Sequence, residues 1–108
     1  MLKISIITTV YNNGSTIEDT IKSVLAQDYP NIEHVIVDGG STDNTSAVIA
    51  KYRDQIGQYV SEPDKGPYDG MNKGVRMATG DVVGILNSDD FFTAPNIVSQ
   101  LVAAFEKY

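Results

Sequence analysis

The sequence predicts an α/β protein: a mostly parallel sheet with helices on both faces. Three observations carry this expectation. Short β-branched, apolar runs alternate with segments whose apolar residues recur every three or four positions. The resulting order is βαβαβαβα, which favours parallel strands joined through helices. Each strong apolar run also stops abruptly in Asn, Asp or Gly, as a buried strand does when it reaches a surface loop.

The first run, Ile4–Val10, is a buried strand closed by the loop formers Asn12, Asn13 and Gly14. Ser15-Thr16-Ile17-Glu18 has the form of a capping box, and Ile17, Ile21, Val24 and Leu25 then share one helical face until Asp28-Tyr29-Pro30 ends the pattern. Residues 32–37 form the second strand, closed by Asp38-Gly39-Gly40. Ser41, Thr42 and Asp43 can each cap the next helix, whose stripe of Val48, Ile49 and Tyr52 ends near Gly57. A short third strand is expected at Gln58–Ser61. Residues 62–70, rich in Pro, Gly and charge, are expected to be an exposed loop. Met71, Val75 and Ala78 mark a short helix ending at Gly80. Residues 81–86 form the fourth strand, which runs into Asn87-Ser88-Asp89-Asp90. Ala94-Pro95 can open a last helix with Ile97, Leu101 and Phe105 on its buried side.

The chain has 108 residues, of which 42% are apolar, a composition suited to one globular domain with one core. With no long apolar run and no cleavage-site pattern behind the first strand, it reads as a soluble, intracellular domain. The absence of cysteine excludes disulfides, thiolate metal sites and cysteine nucleophiles, so any metal must take oxygen ligands or the lone His34. A formal charge of −6 argues against nucleic acid, whose affinity for proteins comes largely from Lys and Arg neutralising phosphates. If the ligand is itself an anionic nucleotide, a divalent cation held by carboxylates would reconcile the two charges.

Ligands of open α/β sheets sit beyond the carboxyl ends of the strands, and the distinctive polar residues fall there. They are Thr9-Val10-Tyr11-Asn12, Asp38, Asp64-Lys65-Gly66 and Asn87-Ser88-Asp89-Asp90. Asp38 can accept a hydrogen bond from a base or ribose, or it can build the Gly39-Gly40 turn; both readings stay open. Asp89 and Asp90, adjacent at a strand end, repel each other unless a cation or hydrogen bonds compensate, although Asp90 can also cap the last helix. Lys65 can meet a phosphate or simply be solvated. His34, inside a strand, reads as structural. G-x-G-x-x-G and G-x-x-x-x-G-K-[ST] are both absent, which disfavours dinucleotide-binding dehydrogenases and P-loop enzymes. The acidic pair follows the last strand rather than the first, which disfavours a receiver-like signalling domain.

Taken together, Ile4-Ser5-Ile6-Ile7-Thr8-Thr9-Val10-Tyr11-Asn12, Ser23-Val24-Leu25-Ala26-Gln27 and Val35-Ile36-Val37-Asp38-Gly39-Gly40-Ser41-Thr42-Asp43 resemble, in order and spacing, glycosyltransferase family 2 with its GT-A fold. The stretch from Ser61 to Gly74, leading to Leu86-Asn87-Ser88-Asp89-Asp90, is similar to bacterial transferases that build capsular and extracellular polysaccharides. The resemblance implies a Rossmann-like nucleotide-binding half and a nucleoside diphosphate sugar donor, with uracil as the base. Thr9, Tyr11 and Asp38 would hold the uracil and ribose, Asp38 through the base, and Asn12 would belong to the same nucleotide-sugar site. Lys65 and Asp69 would lie near the diphosphate and sugar, with Asn72 supporting their loop. Asp89 would bind Mn2+ or Mg2+ as the metal aspartate of a D-x-D motif whose first position is here Asn87, near the ribose. Asp90 would face the donor sugar or the acceptor.

Such an enzyme inverts the transferred sugar, with the metal stabilising the departing diphosphate and a carboxylate taking the proton of the acceptor hydroxyl. The acceptor would be a glycan or a lipid-linked saccharide. In the family that carboxylate lies in a second half, so the expectation is that this chain is a single subdomain, 1–108, ending before the catalytic base and inactive by itself. A non-catalytic nucleotide-sugar-binding module is the alternative. The resemblance places the full-length protein in the cytoplasm, compatible with peripheral attachment at the inner face of the membrane. Missing strands would expose a sheet edge and favour self-association.

Overall fold

Runs of Ile and Val, whose branched side chains suit a buried pleated surface, form the central strands in the computed structural model, which describes residues 1–107. The element order is β1 (Ile4–Val10), α1 (Gly14–Leu25), β2 (Ile32–Asp38), α2 (Thr45–Ala50), a 3-10 turn (Arg53–Gln55), β3 (Gln58–Ser61), α3 (Pro67–Met77), β4 (Val82–Ile85) and α4 (Ile97–Lys107). Among the described residues the strands form one parallel sheet in the order β3-β2-β1-β4. The register places Val10 opposite Asp38 and Asp38 opposite Ser61, so three strands reach the carboxyl rim together. β4 stops lower, with Ile85 opposite Ile7, and the Leu86 amide then donates to the Ile7 carbonyl at 2.9 Å as the chain continues toward the rim.

The two faces of the sheet bury different sets of residues, as the alternation of a strand requires. On one face Val10 and Ile36 meet Ile17 and Ile21 of α1 and Val48 and Ile49 of α2. The same layer continues where Ile4 and Ile6 meet Val24 of α1 and Val98 and Val102 of α4. On the other face Ile7, Val35 and Val37 lie under Met77 and Ala78 at the end of α3. α3 comes close there: a Cβ on Gly74 would stand 2.4 Å from Ile7 Cγ2, so that contact requires a residue without one.

Four expectations are corrected by the structure. α1 begins at Gly14 with Asn13 at its cap position and no side-chain cap hydrogen bond, so the capping box does not form. The opening amides are satisfied from the start of α2 and the loop before it, Asn13 N–H by Thr45 Oγ1 at 3.0 Å and Gly14 N–H by Asp43 Oδ2 at 3.2 Å. Secondly, residues 67–70 are helix rather than loop. Pro67 occupies the first turn of α3, where its missing N–H costs nothing, and the Gly70 amide donates to the Gly66 carbonyl. Thirdly, α2 is only six residues long, ending at Ala50 ahead of the 3-10 turn. Finally, α4 opens at Ile97 rather than Ala94-Pro95 and buries Val98 and Val102, while Leu101 and Phe105 remain 42% and 48% exposed. Its inner stripe is therefore one position away from the expected one. With Val83 and Ile85 of edge strand β4 also exposed, this part of the molecule carries apolar surface, and among the described residues no helix is long and apolar enough to cross a membrane.

Candidate functional site

The carboxyl rim holds an open cavity of about 730 Å3 lined by Thr9, Val10 and Tyr11 after β1, Gly39 and Gly40 after β2, Pro63, Asp64, Gly66 and Pro67 around the start of α3, and Asn87 and Ser88 after β4. Parallel strands put their carboxyl ends on one side, so four loops distant in sequence converge there. Thr9, Tyr11 and Asn87, each expected at the site, line the cavity; Tyr11 is 62% exposed, leaving its ring available as a stacking surface. Gly40, at φ 91°, is in the left-handed region that favours glycine and turns the chain back beside Pro63.

Asp38 does not stand free at the rim. It is 0% exposed, and its carboxylate accepts three hydrogen bonds, from Ser41 N–H at 3.0 Å, Ser41 Oγ at 2.6 Å and Ser61 Oγ at 3.0 Å. This is the turn-building role that the sequence left open, and it ties the β2 turn to the end of β3. Asn12 is likewise committed to loop structure. At φ 50° it uses a conformation asparagine tolerates, and its Oδ1 accepts from Thr42 N–H at 2.7 Å and Asp43 N–H at 3.2 Å, while its own amide donates to Ser41 Oγ at 2.8 Å.

Lys65 and Asp69 lie beside the cavity rather than in its lining. The Lys65 amide donates to Asp69 Oδ2 at 3.0 Å, which holds the loop against the first turn of α3, and Lys73 pairs with Glu62 at 3.1 Å. Asn72 does not support that loop: it is exposed and makes no side-chain hydrogen bond among the described residues. The reason is helical phase. α3 buries Gly70 and Gly74, and Asn72, midway between them, points away. Asp64 does the supporting instead, accepting from the Gly66 amide at 3.0 Å while facing Gly39 and Gly70. An Asp two residues before a Gly at a helix start was the available signal for it.

Residues 87–90 form a turn closed by the Asp90 amide on the Asn87 carbonyl at 3.0 Å. Asp89 and Asp90 are exposed at its tip, and among the described residues neither carboxylate has a hydrogen-bond or ion-pair partner. Asp64 is the charged residue in the cavity lining, and no Lys, Arg or His joins it. A divalent cation would offset that negative charge for an anionic ligand. Among the described residues no three His, Cys, Asp or Glu side chains converge. The oxygen donors at this rim fit a hard divalent cation that is held by one or two carboxylates and shares its remaining positions with ligand oxygens and water.

The chain is similar in sequence and in fold to known glycosyltransferases. An uncharacterized glycosyltransferase of Mycobacterium tuberculosis is 41% identical over 102 residues, covering 94% of this chain and 39% of the relative. The structure of Staphylococcus aureus TarS 1-349 in complex with UDP superposes with a TM-score of 0.89 at 30% identity, covering 98% of this chain and 32% of that one. A Pyrobaculum calidifontis mannosyltransferase in complex with GDP-Man and Mn2+ superposes with a TM-score of 0.86 at 28% identity, covering 94% and 31%. The chain thus spans about 39% of the length of that curated relative. Residues 5–108 match Glycosyl transferase family 2, and the chain belongs to that family.

Proposed function

We propose that this chain is the donor-binding part of an inverting glycosyltransferase that passes a sugar from a nucleoside diphosphate sugar, UDP-linked, to an acceptor hydroxyl in polysaccharide synthesis. The observation that carries the reading is the cavity itself. It is built from the ends of the strands, has an exposed aromatic ring at one side and, beside another, an acidic turn whose two carboxylates lack partners among the described residues, and contains no basic side chain in its lining. The UDP complex of TarS and the GDP-Man and Mn2+ complex of the mannosyltransferase support a nucleotide in such a place. The polysaccharide class rests on the similarity of residues 61–90 to bacterial polysaccharide transferases.

In this reading Thr9 and Tyr11 hold the base and ribose, Asn87 lies near the ribose, and Gly39-Gly40 lets the nucleotide approach backbone directly. Asp38 shapes that turn through Ser41 and Ser61. The diphosphate lies toward Lys65, Asp69 and the start of α3, whose free amides and dipole favour negative charge. Asp89 would hold Mn2+ or Mg2+, which when bound supplies Lewis-acid stabilisation of the departing diphosphate. Asp90 faces the donor sugar or the acceptor, a glycan or lipid-linked saccharide. The exposed Val83 and Ile85 support self-association.

Calorimetric titration of UDP with and without Mn2+ tests the reading. Saturable, Mn2+-dependent binding is expected, and Asp89→Ala should weaken it by about tenfold or more. A folded protein that ignores UDP in the presence of Mn2+ would contradict the assignment. Binding without transfer by the full-length protein would instead favour a non-catalytic nucleotide-sugar module.

A further inference from the structure

The acidic turn has weak support from the sheet. β4 is a four-residue edge strand, and the Leu86 amide makes the last backbone bond to β1 before the turn. Adjacent carboxylates at its tip also repel each other. What holds residues 87–90 comes from α1. Thr16 Oγ1 donates to the Ser88 carbonyl at 2.8 Å, and Thr20 Oγ1 lies 2.5 Å from the Asp90 carbonyl and 3.0 Å from that of Ser88. Asn13 Nδ2 adds a bond to Ser88 Oγ at 3.1 Å.

Threonine within a helix ordinarily turns its hydroxyl back to the carbonyl one turn earlier. Here those distances are 3.5 Å, for Thr16 to Asn13 O and for Thr20 to Thr16 O, longer than the bonds to the acidic turn. Thr20 is 0% exposed between the core residues Ile17 and Ile21, a position where an apolar side chain would suit the helix better. A hydroxyl has one proton, so the short distances divide the work: Thr16 anchors Ser88 and Thr20 anchors Asp90. The two anchored carbonyls flank Asp89.

We infer that Thr20, with Thr16 one helical turn before it, is a positioning residue that clamps the turn on both sides of Asp89 and so sets where that carboxylate stands relative to the donor's diphosphate. The role rests on Asp89 being the cation ligand proposed above. It is tested on wild type, Thr20→Val, Thr20→Ser and Asp89→Ala by two measurements: UDP titration with and without Mn2+, and amide hydrogen exchange of residues 87–90 without ligand. Thr20→Val keeps shape and branching and removes the donor. It should weaken Mn2+-dependent UDP binding by about tenfold, leave Mn2+-free binding as in wild type, and speed exchange in the turn but not in β1 or β2. Thr20→Ser should restore both. Wild-type exchange and wild-type Mn2+-dependent affinity in Thr20→Val overturn the clamp, and a weak Asp89→Ala would then leave the cation reading standing. Fast exchange in Thr20→Val with an unaffected Asp89→Ala overturns the cation reading and with it the clamp's consequence for binding. Thr16→Val, at a half-buried position, repeats the test if Thr20→Val does not fold.

Discussion

The two ends of the sheet use carboxylates in opposite ways. At the amino end Glu33, on β2, is saturated: it accepts from Ser5 Oγ at 2.8 Å, Gln58 Nε2 at 3.0 Å, and the Thr79 amide and hydroxyl at 2.9 and 3.0 Å, with Lys3 at 3.8 Å. Burial alone would raise its pKa, but these hydrogen bonds prevail and lower it to about 2. One side chain thereby joins β1, β2, β3 and the loop before β4. At the carboxyl end Asp89 and Asp90 have no such partners, and Asp64 has one backbone donor. A carboxylate with its acceptor sites filled is structural; one left open at a cavity is available to a ligand. Asp38 shows that position at the rim does not decide this, since it is buried and accepts three hydrogen bonds.

The sharpest way to break the comparison is to remove one acid from each end. Glu33→Ala leaves four donors and Lys3 without their acceptor and should cost roughly 4 kcal/mol in urea denaturation. Asp89→Ala should leave the midpoint unchanged while lowering UDP affinity. If both variants unfolded alike, the distinction between the ends would fail.

Acid should act on two neighbouring groups of β2. His34, buried on β2 with Nε2 2.9 Å from Thr8 Oγ1, is held by burial at a pKa of about 4 instead of 6.5. The unfolded chain therefore takes up this proton first, and stability falls as pH drops from 6.5 to about 4, by roughly 3 kcal/mol, then levels for this group. Glu33 has the opposite character: its stabilisation is complete above pH 4.5 and is lost as pH falls toward 2. Stability measured against pH should thus decline over both windows, and a His34→Gln variant should flatten the upper one.

The smallest expected effect concerns the cavity wall. Gly40→Ala forces a Cβ onto a backbone at φ 91° with Pro63 N at 3.3 Å, and should cost about 1 kcal/mol of stability together with weaker UDP binding. A thermal melt and the same titration check it. Full binding in this variant would mean that the wall does not touch the nucleotide.

Much of the fold was legible in the sequence. β1, β2 and α1 announce themselves through long apolar runs and a clear helical stripe, because burying those side chains is the dominant favourable term wherever they lie. The convergence of Thr9, Tyr11 and Asn87 was legible too, since parallel strands put all carboxyl ends on one side. The start of α3 was not: Pro, Gly and charge read as loop, but Pro67 and Gly66 were a helix start whose packing under Gly70 and Gly74 depends on Ile7 and Thr9 of another element. Nor did pattern distinguish Leu101 and Phe105 from Val98 and Val102, because only the docked α4 selects which stripe is buried.

What the sequence determined by itself was therefore periodic and local: element type, order, and the rim where polar residues collect. Which carboxylates are occupied was decided by tertiary structure alone. Glu33 and Asp38 are filled by donors up to 46 positions away, and the turn carrying Asp89 is held by hydroxyls some 70 positions before it. A hydrogen bond acts over about 3 Å and is indifferent to chain separation, so only the folded packing of strands and helices brings those partners together.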